Sequence, residues 1–251
     1  MEKKILYLLT CVGLCWSSCT NEVDEFIGNV EPSTRSVSTA LNANLASLFT
    51  GGAPTLTSAE IKEVNDAYAK MTSINCYRNI DEAVRNKTSY AGTIFLDDTY
   101  ASAYFRKGSL AFPPYGILAS SMEHEFIHMY QRDVQGKKVD TDKEKRDTGM
   151  MEFELAFYQG IIRYIHAGYS WTFKGEDGDP SYQSLWTSGL TDPSLIPQYE
   201  REFQTYVASI CANGKPTSID INEFVKWSNI FGEYSRGYSG KGYKFGNYDY
   251  G

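Results

Sequence analysis

HEFIH, residues 124–128, decides how this chain is read. Two histidines four apart bracket a glutamate. In a helix, positions i and i+4 lie one turn apart on the same face. His124 and His128 can then turn ring nitrogens towards one ion, and Glu125 stands beside them. Such a pattern suits a zinc ion held by two imidazoles, with a carboxylate placed to take a proton from a water on that ion. Only three histidines occur in the chain, so a chance match to this spacing is uncommon. The flanking residues predict a helix over 117–134. Ile117, Leu118, Met122, Ile127, Met129 and Tyr130 are available for packing, and Ser120 and Ser121 leave room near a metal.

The third ligand separates the subclasses. A three-histidine site needs glycine and histidine where Gln131 and Val134 stand, so that arrangement is excluded. The next strongly helical stretch, 148–167, carries Met151-Glu152-Phe153-Glu154-Leu155-Ala156 near its start. Two carboxylates within an apolar turn are expensive to bury unless they bind something. Glu152 shares a face with Ala156 and Gly160, small residues that let another helix approach. Glu154 shares a face with the bulky Tyr158, Ile161, Ile162 and Ile165. Glu152 is the favoured ligand and Glu154 the alternative. The glutamate left over is expected to orient a ligand histidine, or to be a solvated carboxylate at a helix N-terminus.

HEFIH followed by MEFELAF resembles the gluzincin-type zinc metallopeptidases, which carry H-E-x-x-H on one helix and a ligand glutamate on the next. The resemblance covers residues 92–167. It implies Zn²⁺ bound by His124, His128 and Glu152, with Glu125 as general base and then acid. Leu155 stands where such families place alanine, and Ala156 replaces their usual acidic or amide residue. The implied fold is α+β and zincin-like, with a small antiparallel sheet, an active-site helix, a glutamate helix and a helical C-terminal part. It also implies an edge strand, expected at 106–112, that pairs with an extended substrate. An oxyanion-stabilising residue is expected among Tyr164, His166 and the loop tyrosines.

The N-terminus suggests export. Two lysines precede a short apolar run at 5–14, too short to span a bilayer. Trp16-Ser17-Ser18-Cys19 follows and resembles a lipobox, in which Cys19 would receive the lipid. The expected organisation is a lipoprotein signal peptide at 1–18, a polar tether at 19–56, a domain at 57–234 and a Gly/Tyr-rich tail at 235–251 that is partly ordered or wraps the domain. Cys76 and Cys211 then remain, as a disulfide or as two buried thiols. The net charge of −7 argues against a nucleic-acid partner.

Elsewhere, Thr57-Ser58-Ala59-Glu60 is a capping-box pattern opening a helix, and 92–96 and 103–112 read as strands. Residues 196–212 and 219–231 read as helices. The stretch 219–224 looks like the end of an EF-hand, but Ala212, Gly214 and Pro216 offer no side-chain oxygens before it. The acidic run 176–179 reads as a solvated turn. The functional expectation is an exported, lipid-anchored zinc metallopeptidase acting on peptide or protein substrates. The alternative is a non-catalytic surface lipoprotein that binds a peptide, glycan or host protein on the same scaffold. Oligomeric state is not readable from the chain.

Overall fold

The computed structural model describes residues 40–138, 144–167, 193–212, 216, 219–231, 239 and 242–250. Cys19, the expected signal peptide and the acidic turn at 176–179 lie outside the described residues, as do the side chains of Tyr164 and His166. The architecture is α+β, mostly helical, with one small sheet. In order, the elements are α1 (Ala43–Leu48), α2 (Ser58–Ser73), α3 (Asn75–Lys87), β1 (Ile94–Leu96), β2 (Tyr104–Arg106), β3 (Ser109–Phe112), α4 (Ala119–Met129), α5 (Glu144–Ala167), α6 (Ile196–Ile210) and α7 (Ile221–Phe231). Among the described residues, no helix is long and apolar enough to cross a membrane.

The capping box forms as its spacing predicts. The Thr57 hydroxyl accepts from the Glu60 N–H, and the Glu60 carboxylate accepts from the Thr57 N–H. Helix α3 has no such signal, because Ile74 precedes it and offers no capping side chain. Its existence follows from Cys76, Tyr77, Ile80 and Val84, which recur at helical spacing and are buried.

The stretch expected to be one strand, 103–112, is two. Lys107 and Gly108 have φ of 51° and 79°, and positive φ at both positions is the signature of a two-residue hairpin turn. The sheet order is β1-β3-β2, with β3 parallel to β1 and antiparallel to β2. The sheet is therefore mixed, not antiparallel as expected, because the chain crosses from β1 past β2 before returning between them. The expected substrate-pairing stretch is corrected too. Residues 109–112 form the central strand, with both edges of the ladder occupied. The outer edge of β1 is covered in part by the segment after α1, where the Ile94 N–H donates to the Gly52 carbonyl at 2.8 Å.

Two cores meet on α5. One gathers α1–α3, the sheet and α4, and takes Leu155, Tyr158 and Ile162 from α5. The other gathers α6 and α7, and takes Phe153, Phe157 and Ile161. Successive positions on α5 thus serve opposite sides of the helix. Cys76 lies in the first core and Cys211 in the second, both as buried free thiols, so they are not a disulfide.

The domain is larger than 57–234. Leu45, Leu48 and Phe49 are buried in the first core, so the expected tether is shorter than 19–56. Three large apolar residues inside an otherwise polar stretch supply the driving force. The C-terminal segment 242–250 packs between the cores, with Tyr248 in the first and Tyr243 in the second.

Candidate metal centre

Helix α4 carries the motif. Met122, Phe126, Ile127 and Met129 have no exposed surface, and the helix packs on α2, where the Tyr68 and Phe126 rings lie 6.1 Å apart. Burial of that face fixes the helix's rotation and turns His124 and His128 towards α5. After Met129 the helix widens into a π turn over Tyr130–Val134, in which the Gln135 N–H reaches the Tyr130 carbonyl. It ends at Gly136, whose φ of 71° suits a glycine cap, and the Lys137 N–H returns to the Gln131 carbonyl at 3.0 Å.

His124 Nε2 and His128 Nε2 lie 3.0 Å apart. Glu152 on α5 brings Oε1 to 3.2 Å from His128 Nε2 and Oε2 to 3.6 Å from His124 Nε2. Tetrahedral ligands about 2.0–2.1 Å from one zinc ion stand about 3.3 Å from one another. The three separations straddle that value. Among the described residues, this is the one group whose donor atoms could hold a metal. The three side chains are 27%, 20% and 29% exposed, so the cluster is reachable from one side.

Glu125 is buried, at 4% exposure, and the nearby Phe105 backbone N–H favours its charged form. That N–H is free for a reason of register. In the two-residue hairpin, Arg106 and Ser109 face each other across the turn, so Phe105 and Leu110 form a pair whose backbone groups point away from each other. The Leu110 N–H accordingly bonds Thr93 on the β1 side. The outer edge of β2 therefore faces α4 at Glu125.

Gln131 was read from the sequence only as standing where a three-histidine site needs glycine. It is fully buried. Its Oε1 lies 2.9 Å from His128 Nδ1, and its Nε2 donates to the Met151 carbonyl at 2.9 Å. With Nδ1 donating to Gln131, His128 is left to offer Nε2 to the cluster. Three residues past a histidine is one helical turn, and that spacing is the signal that could have found it.

Glu154 takes no part in the cluster. It is fully buried, and its carboxylate accepts from Lys137 Nζ at 2.6 Å, the Tyr248 hydroxyl at 2.6 Å, the Tyr243 hydroxyl at 2.5 Å and the Gly246 N–H at 3.1 Å. The leftover glutamate, expected to orient a histidine or to be solvated, is instead the buried centre of a separate clasp on the C-terminal segment.

Electrostatics at the cluster are strongly coupled. Burial lowers His124 to about 4, and the charge of His128 adds to it. Burial opposes a charge on His128 as well, but the Glu152 carboxylate outweighs it and lifts His128 to about 9. Glu152 resists the upward push of burial and falls to about 2, chiefly through His128. Burial lifts Glu125 to about 8, against the pull of His128 and with the repulsion of Glu152.

No family model, curated protein or solved structure matches this chain.

Proposed function

We propose that this protein is a zinc-dependent peptide hydrolase, exported and anchored through Cys19. The approach of two histidine nitrogens 3.0 Å apart to the Glu152 carboxylate, one oxygen 3.2 Å from His128 and the other 3.6 Å from His124, carries the proposal, because it suits one ion held by the three side chains. His124, His128 and Glu152 would hold the metal. When bound, such an ion lowers the pKa of a water towards about 7 and polarises a carbonyl. Glu125 accepts the proton from the attacking water and delivers it to the leaving amine as the C–N bond breaks. The Phe105 N–H near Glu125 favours the charged carboxylate that takes the proton. An extended substrate would align along the outer edge of β2 rather than along β3.

One observation favours the second reading, a non-catalytic surface lipoprotein that binds a peptide, glycan or host protein. Among the described residues, His124 has no hydrogen-bond partner at Nδ1, unlike His128. A half-supported ligand pair suits binding better than turnover. The test is direct: purify the full chain, measure bound zinc, and follow cleavage of a broad peptide library by wild type and Glu125→Gln. Zinc with turnover that Glu125→Gln abolishes supports the hydrolase. Zinc without turnover supports the binder, and no zinc removes both the site and the mechanism.

A further inference from the structure

We infer that Glu154, clasped by Tyr243 and Tyr248 of the C-terminal segment, is a positioning group for the metal centre. The inference rests on the metal reading above. Glu152 and Glu154 are two residues apart on α5, about 200° around its axis, so they leave the helix on nearly opposite sides. Glu152 meets the histidines and Glu154 meets the clasp. Whatever holds Glu154 therefore acts with the packing of both faces of α5 to set its rotation, and with it the position of Glu152. A rotation of about 20° moves a carboxylate about 6 Å from the axis by about 2 Å, the length of a metal–ligand bond.

The clasp also reaches α4. Lys137 donates its side chain to Glu154 and its backbone N–H to the Gln131 carbonyl. Gln131 in turn holds His128 on one side and the Met151 carbonyl on the other. One carboxylate thus registers both ligand-bearing helices. The segment that encloses it is tied down independently: the Tyr130 hydroxyl donates to the Asn247 carbonyl at 2.7 Å, and the Tyr158 hydroxyl donates to the Asp249 carbonyl at 2.9 Å. At Gly246 a Cβ would lie 2.0 Å from Gln135 Nε2 and 2.6 Å from a Tyr248 ring carbon, so a larger residue there would displace those side chains beside Glu154.

An apolar residue at 154 would serve packing equally well, and a buried ion pair is weak evidence for stability. Its stronger use is to fix one register among several, which is what a ligand set drawn from two helices requires. The experiment compares wild type with Glu154→Gln and with the milder double variant Tyr243→Phe/Tyr248→Phe, all as full chains. Three readouts are taken: zinc affinity by chelator competition, the visible spectrum of the cobalt form, and persistence of the His128 Nδ1–H signal in metal-free protein. The expected result is zinc binding about 10–100-fold weaker, an altered cobalt spectrum and faster exchange of the His128 signal, with cooperative unfolding retained. If Glu154→Gln does not fold, the double variant decides. Wild-type affinity, spectrum and exchange in the double variant overturn the inference. Should wild type bind no zinc, the metal reading falls alone. The His128 signal then decides positioning: faster exchange in the variant upholds it and unchanged exchange overturns it.

Discussion

Gln131 Oε1 lies 2.9 Å from His128 Nδ1, while its Nε2 donates to the Met151 carbonyl one residue before Glu152. A single buried amide thus joins one proposed ligand to the backbone beside another. Replacing it with leucine removes both bonds. Gln131→Leu is expected to weaken zinc binding about 10–100-fold and to leave the Met151 carbonyl unpaired at a cost of about 1–3 kcal/mol. Chelator competition and thermal melts read the two effects separately. Zinc affinity equal to wild type would remove Gln131 from the site.

Glu125→Gln keeps the shape of the side chain and loses the base. Hydrolysis is expected to fall on the order of 100–10,000-fold, while zinc affinity stays within about threefold, since Glu125 is not a proposed ligand. Turnover of a quenched peptide and metal content on the same preparation check this. Equal losses of metal and activity would recast Glu125 as structural.

Zinc itself should stabilise the fold. Binding to the native state alone adds about 2.7 kcal/mol at a free concentration one hundred times Kd. Adding zinc to metal-free protein is expected to raise the melting temperature, and His128→Ala is expected to abolish the rise. A rise that persists in the variant would place the ion elsewhere.

The acid limb of stability has a source in the π turn. Burial would raise Asp133, but bonds from Arg132 and Tyr90 hold it below its ordinary value. Arg132 Nε donates to Asp133 at 2.8 Å, and the guanidinium lies 4.4 Å from the centre of the Phe105 ring. A carboxyl with a depressed folded pKa stabilises fully above its unfolded value of about 3.9 and loses that contribution as pH falls through the folded value. Wild type is expected to exceed Asp133→Asn by about 1 kcal/mol near neutrality, with the gap closing below about pH 4. Denaturant melts across that range decide it, and a gap independent of pH would sink the assignment.

Phe157 tests the second core. It is 1% exposed, with Phe203, Phe224 and Phe245 rings 5.7–5.8 Å away. Phe157→Ala is expected to cost about 3–5 kcal/mol, measured by urea unfolding. A loss under about 1 kcal/mol would mean that this cluster contributes little.

Much of the local structure was legible. Thr57 and Glu60 announce a helix because a capping box is complete within four residues. His124 and His128 announce a shared face because helical geometry alone places them together. Helix α3 escaped because nothing caps its start, and the hairpin at Lys107-Gly108 was missed because its one glycine was read as part of a single strand. The tail was seen as wrapping, but its aperiodic tyrosines carried no hint of which carboxylate they would enclose.

By itself the sequence determined the α+β class, the motif helix and the pair of glutamates on the helix after it. These follow from periodicities within one segment. Only the tertiary structure decided which glutamate meets the histidines, which strand edge lies beside Glu125, that Gln131 contacts His128, and that the C-terminal segment encloses Glu154. Those outcomes depend on the rotation of α5 between two cores and on contacts as distant as Glu154 with Tyr248, 94 residues apart. Rotation is set by the summed packing of both faces, which no single helix's pattern specifies.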